Sequence, residues 1–193
     1  MARSASSQPC ARDRILAKAS ELFYQEGVHN VGIDRIIAES GVAKMSLYNH
    51  FKSKDALIAA CLEEQRNSWR VWFQEAIARH AVASGQPPVL AVFDALKEWF
   101  EQSNFRGCAF INSAIELVHP EHPAYQVSLE HQRAVTDYML ALINEANLPN
   151  PKELADQIMI LMQGATVVAM MQGHSQAADQ AKAAAAVLIG ASV

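Results

Sequence analysis

The segment Ile33-Asp-Arg-Ile-Ile-Ala-Glu-Ser-Gly-Val-Ala-Lys-Met-Ser-Leu-Tyr-Asn-His-Phe-Lys-Ser-Lys54 holds two short apolar periods with a glycine between them. Ile33, Ile36 and Ile37 recur at three- and four-residue spacing, which puts them on one side of a short helix that ends at Ser40-Gly41. Gly41 can take the positive φ of a tight turn, so a second helix is expected from about Lys44 to His50. Val42 and Leu47 then point inward and join Ile36, Ile37 and Phe23 in a small core. Lys44, Met45, Ser46, Tyr48, Asn49 and His50 are left outside. This face is rich in hydrogen-bond donors and has no acid, which suits a helix lying against phosphates and base edges.

Outward from this segment the chain reads as helix throughout. Alanine and leucine dominate, apolar residues make up 51%, and there are only 8 glycines and 7 prolines in 193 residues. That balance favours helices over many short strands. Every proline falls at a segment border, where it can open a helix rather than break one. Ile15, Ala19, Leu22 and Phe23 form a stripe closed by Gly27. Ser53 caps a long helix that carries Trp69, Trp72, Phe73 and Ile77, with Asp55 at its positive end. Further helices are expected at about 88–103, 108–118, 122–147, 152–173 and 175–190. The fold class is therefore all-α with about nine helices: a three-helix DNA-binding head over residues 1–55 and a larger helical domain over residues 56–193. Residues 1–8 carry no apolar anchor and are expected to be unstructured.

A net charge of −4 gives no general affinity for nucleic acid, but the charge is unevenly placed. Residues 1–60 hold eight Lys/Arg against six Asp/Glu, and the remainder hold eight against fourteen. The basic excess lies in the half that contains the two short helices. Cys10, Cys61 and Cys108 are widely spaced and odd in number, so a disulfide framework is not expected and a reducing cytoplasm is. The N-terminus has no apolar signal region, and the longest apolar stretch, Ile158 to Met171, is expected to be too short to span a bilayer.

The run Gly41-Val-Ala-Lys-Met-Ser-Leu-Tyr-Asn-His-Phe-Lys-Ser-Lys54 resembles the recognition helix of the TetR family of bacterial transcription regulators. The likeness covers about residues 11–60, and the helical remainder has the length and order of that family's effector domain. It implies a homodimeric, ligand-responsive regulator, most readily a repressor, with double-stranded operator DNA and a small-molecule effector as partners. It also implies that Tyr48, His50, Ser46 and Lys54 hold phosphates, that Lys44, Met45 and Asn49 face the major groove, and that Arg35 lies across the backbone. Two positions depart from the family pattern. Gly32-Ile33 stands where a threonine is usual, so a side-chain cap is lost, and Ile37 stands where a small residue is common.

Other residues suggest a pocket. Trp69, Trp72, Phe73, Phe93 and Trp99, with Cys108, Ile111 and Asn112, are candidate lining for an apolar or aromatic ligand. Cys108 should open a helix beside Arg106, with a lowered thiol pKa from the helix dipole, and face inward with Ile111 and Ile115. The alternative for Cys108 is a small buried hydrophobe. His119-Pro-Glu-His122 lacks a metal-ligand spacing and reads as a polar loop, so neither a metal nor a cofactor is expected. No catalytic signature is present, so an enzyme is not expected; a pure protein-interaction module would be told apart by failure to bind duplex DNA. Residues Leu154–Met171 are apolar on nearly every face and should be buried all round, and the alanines of 177–186 allow close approach. Dimerisation through the last two helices as a four-helix interface is the expectation.

Overall fold

Proline and glycine set the helix borders. A computed structural model of the chain describes residues 9–191, and the expectation for residues 1–8 lies outside them. Among the described residues there are nine helices and no strand: α1 Ala11–Glu26, α2 Ile33–Ser40, α3 Lys44–His50, α4 Lys54–Ser84, α5 Pro88–Phe100, α6 Ala109–Glu116, α7 Pro123–Glu145, α8 Pro151–Gln172 and α9 Gln176–Ala191. Pro88, Pro123 and Pro151 each stand at a first helical position, where the missing N–H costs no helical bond. The Ala56 amide donates to the Ser53 hydroxyl at 3.1 Å, which is the cap expected for α4. No side chain caps α2, whose N-cap is Gly32.

Two apolar cores form, and α4 runs through both. In the head, α1, α2 and α3 pack around Ile15, Phe23, Ile36, Leu47 and Phe51, joined by Leu57, Ile58, Cys61 and Leu62 of α4. Phe110 and Leu117 from α6 and its end, and Val127 from α7, complete that core from the other side. The body core takes Phe73, Ala76 and Ile77 of α4 together with α5, α7, α8 and α9. At 1.5 Å per residue the 31 residues of α4 form a rod about 46 Å long. One rigid element thus belongs to both regions.

Helix α8 corrects two expectations. Leu154, Ile158, Met159, Met162 and Ala169 are buried, but Ile160, Val167, Val168, Met170 and Met171 turn outward, so the helix is buried on one face and not all round. Within one chain the packing of α7, α5 and α9 reaches only one side of it. Its 22 residues, with a mean hydropathy of 1.5 over the most apolar window, are also long and apolar enough to cross a membrane. Shortness is therefore no argument against a span; the buried face packed into the body core is.

Candidate nucleic-acid interface

The turn between α2 and α3 rests on Gly41, at φ 64° and ψ 38°, which closes α2 with its amide on the Ile37 carbonyl at 3.1 Å. An L side chain at this φ would be strained, so glycine fits the need of the turn. Ser40 is buried and donates its hydroxyl to the Ile36 carbonyl at 2.6 Å. Leu47 is wholly buried and pins α3 to α1 and α2, while Val42 and Ile37 pack at its edge. Phe51 closes the end of α3 and lies under the Arg12 guanidinium, 5.6 Å from the ring centroid.

With Leu47 as its anchor, α3 faces Lys44, Met45, Tyr48, Asn49 and His50 outward, and Ser46 is half-buried. Met45 is 70% exposed, unusual for a side chain of its kind and consistent with a surface that another molecule covers. Lys54, the first residue of α4, is also half-buried. Lys44 reaches Asp34 at 3.1 Å, and that hydrogen bond raises its pKa, but both partners are exposed and the pair contributes little.

Arg35 sits differently from a free phosphate clamp. Its guanidinium donates to Glu26 at 2.8 Å and to Glu39 at 2.7 Å, and the Glu26 bond, then that to Glu39, raises its pKa. The Glu26 pair ties α2 to the end of α1, and the Glu39 pair lies within α2. Reaching a phosphate would mean breaking them.

Contacts that no local pattern announces tie the head to the body. The Tyr24 hydroxyl of α1 accepts from the Arg106 amide at 2.8 Å and donates to the Gly107 carbonyl at 3.0 Å. At the other end of α6, the Glu116 carboxylate accepts from the His29 amide at 3.1 Å, and the His29 ring meets the Glu116 carbonyl at 2.9 Å. His122 caps α7 by accepting from the Ala124 amide, and its Nε2 lies 3.4 Å from Asp55 at the start of α4. His122 is thus a cap, in a loop that the sequence left merely polar. Helix α6 is therefore held at both ends by residues of the head.

The candidate pocket residues do not form one site. Trp69, Trp99, Cys108 and Ile111 border a cavity of about 40 Å³ closed by Met159, Met162 and Thr166. Phe73 borders a second cavity of about 40 Å³, which shares Trp69 and His131 with the first. Trp72 lines an open groove against α1, together with Trp69 and Trp99. Asn112 donates to the Arg106 carbonyl and borders a cavity of about 270 Å³ between head and body. Phe93 corrects the expectation outright: it has no exposed surface and is packed in the body core.

Cys108 is the N-cap of α6, as expected, but its thiol pKa moves the other way. Burial raises it, and the amides of Ile111 and Phe110 pull it down less. Dipole and amides act on the thiolate, yet removing that charge from water costs more. Ile115 does not face the core either, being 69% exposed. A cap residue lies outside the helical period, and the true buried face is Ala109, Phe110, Ser113 and Leu117.

The comparisons with known proteins agree with this geometry. The model for bacterial regulatory proteins of the tetR family matches residues 15–61, which span α1 to the first part of α4. The HTH-type transcriptional regulator YjdC of Escherichia coli (strain K12) is 22% identical over 166 residues, 86% of each chain. The HTH-type transcriptional activator FasR of Mycolicibacterium smegmatis is 44% identical over 52 residues, 27% of this chain and 24% of its own length. The crystal structure of SCO4454, a TetR-family transcriptional regulator from Streptomyces coelicolor, superposes with a TM-score of 0.82 at 28% identity, covering 94% of this chain and 95% of that one. A helix-turn-helix matched by the tetR family model, on a body that follows such a regulator almost end to end, leads to one conclusion: the chain carries a TetR-family head and is a DNA-binding transcription regulator.

Proposed function

We propose that the protein is a repressor that binds a pseudo-palindromic operator as a homodimer, one α3 to each half-site, and releases it when a small molecule enters the body. The observation that carries this reading is the exposed, acid-free face of α3 on its Leu47 anchor. Residues 1–55 act as the reading head and 56–193 as the effector and dimer domain, working in the cytoplasm. Tyr48, His50, Ser46 and Lys54 hold phosphates; Lys44, Met45 and Asn49 meet base edges. Arg35, tied to Glu26 and Glu39, orients α2.

A second copy covers the outward face of α8 and α9. Ile160, Val167, Met171 and Val187 are exposed there, uncovered by any element among the described residues. A two-fold pairing of α8 and α9 would bury them isologously and set two α3 helices roughly one DNA turn apart. For release, α4 carries motion from Trp69 to the head, and α6 is tied to that head by Tyr24, His29 and Glu116. The coupling needed is about 1–3 kcal/mol and must be reciprocal.

Nuclease protection of intergenic DNA by the purified protein tests the reading. A protected, two-fold symmetric site that is lost with Ile160→Glu/Met171→Glu, alongside a monomeric mass for that variant, is the expected result. Protection of no duplex, or full protection by a monomer, would defeat it.

A further inference from the structure

The two small body cavities share Trp69, His131 and Val135 in their linings, and the two rings touch edge to face at 5.2 Å and 70°. At about 40 Å³ each, the lobes are far below the roughly 300 Å³ at which ligand pockets begin, so a guest must part these rings. Trp69 stacks on Phe73 at 4.3 Å and meets Trp99 edge-on at 5.8 Å, and His131 stacks on Phe110 at 3.7 Å, so the boundary is built of aromatic rings. Its indole N–H is buried and has no acceptor among the described residues, an arrangement that costs free energy until an acceptor arrives.

Charge narrows the guest further. The lobe beneath α8 has no Asp, Glu, Lys or Arg among the described residues of its lining; its polar groups are the Gln132–Gln163 amide pair, joined at 2.9 Å, Thr166, His131, the Cys108 thiol and the Trp69 indole. Burial, and then the nearby Arg66 charge, push the His131 pKa down to about 4, so the ring is neutral near pH 7. Among the described residues, the charged side chains bordering the Phe73 lobe are Arg66 and Arg70, which repel a cation. Arg66 is already bound to Glu130 at 2.7 Å. An anion carried into the lobe beneath α8 would find no counter-charge in its described lining.

We propose that the effector is an uncharged, planar aromatic molecule bearing a hydrogen-bond acceptor, inserted between Trp69 and His131 with the acceptor on the Trp69 indole N–H. This rests on the reading of the body as an effector domain. It also gives the guest a lever, because the ring it must displace is carried by α4, the helix that enters the head.

Equilibrium dialysis with four probes of similar ring size tests the class. Coumarin has the acceptor, naphthalene lacks it, N-methylquinolinium carries a positive charge and coumarin-3-carboxylate a negative one. Coumarin should bind tightest, about three- to tenfold tighter than naphthalene, the usual worth of one net hydrogen bond. In Trp69→Phe, which keeps a ring against Phe73, coumarin should fall to the naphthalene level. Equal binding of coumarin and naphthalene to the unaltered protein, a charged probe binding tightest, or no probe binding would overturn the proposal. Operator retention at saturating coumarin is measured separately. Release supports both readings, whereas retention alongside the expected probe order overturns ligand release and leaves the class of guest standing.

Discussion

Helices α3 and α8 both turn side chains to solvent, with opposite chemistry. Of α3, seven residues long, only Leu47 is fully buried, and its outer face mixes amide, imidazole, ammonium and phenol groups with one thioether. Helix α8 has 22 residues, buries a whole face in the body core, and turns isoleucine, valine and methionine outward. Polar donors on a small rigid mount suit a hydrated, charged partner that is gripped and released. A long apolar stripe suits a lasting partner of its own kind. On the proposed reading, the outer face of α3 carries reversible recognition and that of α8 permanent assembly.

The mounting of α3 is where that contrast breaks most easily. Leu47→Ala should cost about 2–5 kcal/mol, the range for a wholly buried leucine. Thermal melts should register a large loss together with loss of operator binding. An exposed α8 residue such as Ile160, replaced by alanine, should leave the melt of the isolated subunit nearly unchanged and act on the dimer equilibrium. Equal destabilisation by the two would erase the distinction.

A pH titration sharpens it from the body side. His131 has its folded pKa pushed from 6.5 down to about 4, so its contribution is complete above pH 6.5 and declines as acid reaches the unfolded chain first. Between pH 6.5 and 4 the loss should reach up to about 3 kcal/mol in denaturant titrations, and His131→Phe should flatten that slope. An unchanged slope in the variant would place the acid sensitivity elsewhere.

Smaller effects are expected at the reading face itself. Lys44→Ala and Met45→Ala should alter operator preference by about 1–3 kcal/mol per base contact while leaving the melt unchanged. Tyr48→Phe, His50→Ala and Lys54→Ala should weaken all sequences together, and Lys54→Ala should also reduce the salt slope. If all five act alike, the division between base and phosphate readers is wrong. Smallest is Gly41→Ala, about 1 kcal/mol, from placing a Cβ at φ 64°.

What the sequence made legible was local. Helix ends depend on a proline, glycine or serine within a turn of the border, and α3 came out at Lys44–His50 as expected. The burial of Leu47 followed from spacing alone. What stayed hidden depends on pairs far apart in the chain. Arg35 is tied to Glu26 on another helix, and His29 to Glu116, 87 residues away. From sequence Phe93 reads as pocket lining, because an aromatic on a helix face looks the same whether it meets a cavity or a packed neighbour. Cys108 departs from its expected setting because a cap residue lies outside the helical period, and because desolvation outweighs the helix dipole.

Selection of operators from random duplexes, with the unaltered protein and with Lys44→Ala, tests the central claim most directly. The account predicts a two-fold symmetric site for the unaltered protein, with half-site centres roughly one helical turn or somewhat more apart. It predicts that Lys44→Ala shifts base preference at matching positions in both half-sites and nowhere else. Enrichment of no sequence, or an identical site for both proteins, would contradict the assignment of α3 as the element that reads the operator.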